Sequence, residues 1–182
     1  MSENIVLTGF MGVGKSTVGK ILSKNLGMTL LDTDVEIEKR FGMMVSEIFE
    51  KYGEDKFRQS EAALAEELSE KSGLVIATGG GMVKSEQNIK KLRRNAVVVN
   101  LFCGVDKILS NIKDTSTRPL IHGKTREQVA ELIESRTAYY RNADIRIATD
   151  LMSPAEVADA IEKLYKERSI PHDKIRNGRK PR

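Results

Sequence analysis

One eight-residue run constrains this chain more than any other. "GFMGVGKS", Gly9 to Ser16, fits the pattern G-x-x-x-x-G-K-[ST]. It lies between a short apolar run, "NIVLT" (Asn4 to Thr8), and a helical period of Val18, Ile21, Leu22 and Leu26. Strand, glycine-rich turn, helix is the setting in which that pattern binds phosphate. The backbone N–H groups of Gly12, Val13, Gly14, Lys15, Ser16 and Thr17 can cradle phosphate oxygens at the positive end of the helix. Lys15 can reach the β- and γ-phosphates, and Ser16 can ligate Mg2+. A dinucleotide fingerprint is excluded, because after Gly12 and Gly14 the third glycine position holds Thr17. The run reads as a nucleoside-triphosphate site.

The rest of the chain alternates in the same manner. "TLLDTD", "LVIA", "AVVVNLF" and "DIRIAT" read as further strands. Helix-favouring sequence fills much of Val35 to Lys71, broken by Gly42 and Gly53, and Val105 to Lys113 reads as a shorter helix. Gly27 can stop the first helix. Thr125 with Gln128 forms a capping box for a helix through Tyr140. Ser153, Pro154 and Glu156 start another, with Val157, Ile161 and Leu164 as its buried face. Strand and helix in alternation imply an α/β fold, a parallel sheet covered by helices. The expected organisation is one domain, residues 1–168, followed by a basic tail, 169–182.

Charge argues against a nucleic-acid partner. The net charge is +4, and the tail alone carries Lys174, Arg176, Arg179, Lys180 and Arg182 against Asp173. Residues 1–168 are therefore formally neutral, and the tail, with Pro, Gly and Asn and no apolar period, is expected to be disordered. No apolar stretch is long enough to cross a bilayer. The opening residues lack the pattern of a signal peptide, and the single cysteine, Cys103, suits a reducing cytoplasm and reads as a buried small hydrophobe. A monomer is expected, since no broad exposed apolar seam is evident.

Which nucleotide chemistry follows from the remaining carboxylates and arginines. The guanine-reading "NKxD" is absent, and "LVIA" runs into Thr78 rather than a metal-binding aspartate. The carboxylates come early, in "DTD". Read as part of a strand, Asp32 and Asp34 point to one face at its C-terminal end, where Asp32 can hold the metal shell and Asp34 can reach an acceptor. The plain alternative is a helix cap at Asp34 beside a solvated Asp32. "ATGGGM", Ala77 to Met82, places Gly79, Gly80 and Gly81 directly after a strand, a signature of unusual dihedrals or of something approaching the backbone closely.

"GFMGVGKST", "DTD", "EDKFRQSE", "ATGGG", "TRPLI" and "SRTAYYRNA", in that order from Asn4 to about Leu164, resemble the shikimate kinase family. The resemblance implies a P-loop kinase fold with about five parallel strands in the order 2-3-1-4-5 and a mobile lid at about 114–124. It implies ATP- and Mg2+-dependent phosphorylation of the shikimate 3-hydroxyl, giving 3-phosphoshikimate, a step of aromatic amino-acid synthesis. By the family's pattern Asp34, Arg58, Gly80 and Arg136 bind shikimate, the first two from a binding segment of about 33–61. Lys15, Ser16 and Asp32 serve nucleotide and metal, and Arg118 comes from the lid. The chemistry agrees: two arginines can pair in a fork with a carboxylate, and Asp34 can orient a ring hydroxyl.

Simpler readings stand beside these. Arg58 can pair with Glu61 one turn on, Arg136 with Glu134 or Asp144, and Tyr139 and Tyr140 can serve the core. Where many family members carry an arginine that stacks on adenine, this chain has Asn111, and Leu151 and Met152 precede Ser153, so nucleotide selectivity is open. The rival activities are a gluconate-type kinase and a regulatory module that binds without turnover.

Overall fold

Every residue of β1, Asn4–Thr8, is buried. Such a strand, apolar on both faces, can only be the middle of a sheet covered on both sides. The computed structural model, which describes residues 3–112 and 121–168, has that sheet. Its strands are β1, β2 (Thr29–Asp32), β3 (Leu74–Ala77), β4 (Ala96–Phe102) and β5 (Ile145–Ala148). They are all parallel and lie in the order β2-β3-β1-β4-β5, as the resemblance implied.

Alternation along β1 divides the core. Ile5 and Leu7 pack with Val18 and Leu22 of α1 (Lys15–Leu26), Ile108 of α5 (Val105–Asn111), Val129 of α6 (Arg126–Tyr140) and Ile161 of α7 (Pro154–Arg168). Val6 faces the other way. It packs with Ile37 of α2 (Thr33–Phe41), Leu64 and Leu68 of α3 (Val45–Ser69) and Leu92 of α4 (Glu86–Leu92). Fully burying each such aliphatic side chain stabilises the fold by roughly 1.5–3 kcal/mol.

The stop signals fall where the sequence places them. Gly27 and Gly42 end α1 and α2 in the left-handed region, and α3 is broken at Gly53. Thr125 and Gln128 form the reciprocal cap of α6, and the Ser153 hydroxyl accepts from the Glu156 N–H at 3.3 Å at the start of α7.

Three readings need correction. Strand β2 stops at Asp32 and α2 begins at Thr33, so Asp32 and Asp34 do not alternate along one strand. Asp32 is itself the helix cap: its Oδ1 accepts from the N–H groups of Asp34 and Val35 at 3.1 and 3.5 Å, a capture that ends the strand. Leu164 is 39% exposed, and Ala158 and Tyr165 complete the buried face of α7 instead. The sequence reading placed no helix between β3 and β4, where a short turn at Met82–Lys84 leads into α4, capped by Ser85. Of the lid segment 114–124, residues 114–120 lie outside the described residues, as does the tail 169–182; Ile121 is buried in the core.

Candidate active site

The C-terminal ends of β1, β2 and β3 lie side by side, with Leu7 opposite Ala77 and Asp32 opposite Ala77. Ser16, Asp32, Asp34, Arg58 and Arg136 gather near that edge with the glycines that follow β3.

At β1 the chain enters the glycine-rich loop and then α1. Gly14 caps α1 with φ 102° and offers no side-chain hydrogen bond, and the first turn holds no acidic residue. The leading N–H groups of a helix have no intrahelical acceptors. Those of Lys15, Ser16 and Thr17 therefore form an uncapped positive end, which suits an anion. Lys15 lies along the loop, its Nζ donating to the carbonyls of Gly9 at 2.7 Å and Phe10 at 3.1 Å. The Val13 N–H donates back to Phe10 O at 3.3 Å, closing the turn.

Asp32 joins loop and sheet. While its Oδ1 caps α2, its Oδ2 accepts from the Ser16 hydroxyl at 2.9 Å. A hydroxyl and a carboxylate are hard oxygen donors that fit Mg2+, which takes one or two protein oxygens and completes its shell with phosphates and water. Among the described residues no three His, Cys, Asp or Glu side chains converge as a metal cage.

The glycine run after β3 is fixed by two hydrogen bonds. The Thr78 hydroxyl donates to Leu7 O at 3.1 Å, and the Gly79 N–H donates to the buried Thr33 hydroxyl at 2.8 Å. None of Gly79, Gly80 and Gly81 has positive φ, so unusual dihedrals are not the reason for them. Close approach is. A Cβ on Gly79 would stand 1.9 Å from Asp34 Oδ1, and one on Gly81 would stand 1.9 Å from Arg58 Nη1. On Gly80 it would meet only Arg136 Nη1, at 3.6 Å. Three residues from three helices thus line up over three consecutive glycines.

Each arginine is held differently. Arg58 Nη1 donates to Glu61 at 2.6 Å, and its Nη2 and Nε donate to Glu54 at 2.7 and 3.0 Å. Its guanidinium also lies over the rings of Phe49 and Phe57, at 5.8 and 5.4 Å. The pairing with Glu61 therefore exists, and it holds Arg58 at the glycines rather than away from them. Glu61 is 1% exposed, and burial pushes its carboxyl above the ordinary range despite Arg58. Arg136, 5% exposed, pairs with neither Glu134 nor Asp144. Its guanidinium lies 5.5 Å from the Phe10 ring, and its Nη1 has no hydrogen-bond partner among the described residues. Asp144 pairs instead with Arg93 and Arg168. Arg118 lies outside the described residues.

Phe10 and Thr33 were not singled out as site residues. Phe10 occupies a variable position of the phosphate motif, and Thr33 sits between the two aspartates; neither side chain carries a pattern of its own. Asn111 is not poised as a base-stacking group. Its amide donates to Gly12 O at 2.8 Å, tying the end of α5 to the phosphate loop.

A doubly covered parallel sheet, a phosphate loop after its central strand and a side-chain cluster facing that loop define a nucleotide-dependent phosphotransferase of the P-loop class. Comparison with known proteins narrows this. Residues 11–166 match the family described as "Shikimate kinase". A shikimate kinase of Caldicellulosiruptor bescii is 42% identical over 164 residues, 90% of this chain and 95% of that protein. Among solved structures, shikimate kinase from Acinetobacter baumannii in complex with shikimate matches with a TM-score of 0.86 and 34% identity, over 94% of this chain and 97% of that one. A gluconokinase from Sinorhizobium meliloti, at 16% identity and a TM-score of 0.51, shares the fold alone. The chain belongs to the shikimate kinase family.

Proposed function

We propose that the cluster above the sheet carries ATP-dependent phosphorylation of shikimate at its 3-hydroxyl, and that each residue acts as follows. The N–H groups of Gly12, Val13, Gly14, Lys15, Ser16 and Thr17 receive the nucleotide phosphates, and Lys15 leaves the loop carbonyls for the β- and γ-phosphates. Ser16 and Asp32 would hold Mg2+, which when bound neutralises phosphate charge. Arg58 and Arg136 pair with the shikimate carboxylate, each charge-assisted bond being worth roughly 1.5–3 kcal/mol. Asp34 accepts from ring hydroxyls and orients the attacking one. Gly79, Gly80 and Gly81 let the ring approach the backbone. Arg118, in the lid segment, meets the charge that builds on the transferring phosphoryl group.

One observation carries this reading: Asp34, Arg136 and Arg58 face Gly79, Gly80 and Gly81 in turn. That gives a carboxylate and two guanidiniums around a floor without side chains, which suits a small hydroxylated acid. We also read the enzyme as a monomer. Among the described residues no helix is long and apolar enough to cross a membrane; we place the enzyme in the cytoplasm. ADP release in Mg2+, with shikimate, with gluconate and with neither, tests the reading. Release that depends on shikimate is expected. Release with gluconate and none with shikimate would replace the acceptor, and binding of shikimate without ADP would make the chain a regulatory module.

A further inference from the structure

Tyr140 stands in α6 four residues after Arg136, on the same face of the helix. Both side chains are buried, 5% exposed for Arg136 and 7% for Tyr140. Both carry an atom with no hydrogen-bond partner among the described residues: Nη1 of the arginine and the hydroxyl of the tyrosine. Buried polar groups are ordinarily paired, so each exception calls for a reason. A phenylalanine would fill the ring's place without burying a lone hydroxyl.

The surroundings of Arg136 supply the reason. Phe10 lies against the guanidinium, and Gly80 lies beyond Nη1. What remains for hydrogen bonds is the in-plane edge of a fork with five donors. The phenol stays protonated, since burial pushes it up to about 12, with the nearby Arg136 charge acting against that rise. A neutral phenol oxygen is an acceptor that does not compete for the arginine's charge.

We propose that Tyr140 is a positioning residue for the acid substrate: its hydroxyl accepts from the Arg136 guanidinium as the carboxylate engages that group's other edge. A planar fork has to be held at the correct rotation to pair bidentately. Arg58 has Glu54 and Glu61 for this, and Tyr140 is the corresponding support for Arg136. The proposal rests on the reading that Arg136 binds the shikimate carboxylate.

The test compares the full-length wild type with Tyr140→Phe, in steady-state kinetics for both substrates and in thermal melting. The expected result is a shikimate KM raised about five- to tenfold, with kcat and the ATP KM within about twofold. Tm should be unchanged or higher, because the lone hydroxyl is gone. In an Arg136→Lys background the same change should add less than about twofold. An unchanged shikimate KM, a lower Tm, or full additivity with Arg136→Lys would each overturn the proposal. A wild type without shikimate-dependent turnover would remove the functional reading and this inference together, whereas an active wild type with an unchanged variant KM would remove the inference alone.

Discussion

The phosphate loop and the acid-facing cluster adjoin each other, yet they are built from different materials. The loop is backbone: consecutive residues from Gly9 to Thr17 whose N–H groups point where the helix end directs them. The cluster is side chain: Asp34, Arg58 and Arg136 arrive from α2, α3 and α6 over the bare backbone at Gly79 to Gly81. Local spacing alone shapes the first. The second needs supports, and they are present as Glu54, Glu61, Phe49 and Phe57 around Arg58 and Phe10 beneath Arg136. A site made of main chain tolerates its neighbours changing. One made of side chains inherits every defect in the packing behind it.

That contrast can be broken most directly at Lys15. Lys15→Met should lower kcat by roughly 10²–10³-fold, as loss of one preorganised charge on a developing transition state does, and leave shikimate binding measured by calorimetry close to wild type. Equal loss of shikimate affinity would mean that the two regions are one unit.

The glycine floor gives the next largest effect. In Gly79→Ala and Gly81→Ala the atoms nearest the new methyl are the ends of flexible side chains, at 1.9 Å in each case. Those ends can move, so melting should change little. Movement misplaces Asp34 or Arg58, however, and the shikimate KM should rise about 10- to 100-fold, the equivalent of one lost charge-assisted bond. A variant that melts early with normal kinetics would show the run to be structural.

Glu61 sharpens the comparison through pH. Burial raises its folded carboxyl above the ordinary 4.5. Such a group contributes stability fully below the unfolded value and loses it as pH rises through the folded one. Glu61→Gln lacks this loss, so its Tm relative to wild type should climb as pH rises above the ordinary carboxyl value of 4.5. Its shikimate KM should be higher at the upper end of that range, where the wild-type carboxyl is charged and Arg58 loses a charged partner. A constant Tm difference across that range would show the carboxyl to be unshifted.

Asn111→Leu should have the smallest effect. Removing the hydrogen bond to Gly12 O loosens the loop from α5. The ATP KM should rise about two- to fivefold, with the shikimate KM unchanged in the same assays.

Much of this was legible beforehand, for a physical reason that varies by element. The strands and the phosphate loop depend on local periodicity and on glycine spacing, which the residues display directly. The boundary at "DTD" was misread because Asp32, at the end of an apolar strand, satisfies both a strand pattern and a helix cap, and only the three-dimensional partners decide between them. Helix α4, Glu86–Leu92, is not legible because Ile89 and Leu92 are its two apolar residues, too few to show a period. Arg58 illustrates the limit best. Its spacing to Glu61 was visible as a plain ion pair, and the fact that this pair aims the guanidinium at Gly81 is not a property of the spacing. The orphaned hydroxyl of Tyr140 has no signature in the sequence at all, since it depends on what fails to lie nearby.

Asp32 carries a last consequence. One of its oxygens serves the N–H groups that begin α2, and the other serves Ser16 at the start of α1. Whatever pulls on the second oxygen is therefore felt at the turn that carries Asp34. On the proposed reading of the site, donor and acceptor would both pull on this one residue, and by linkage any factor by which one altered the other's affinity would hold in both directions.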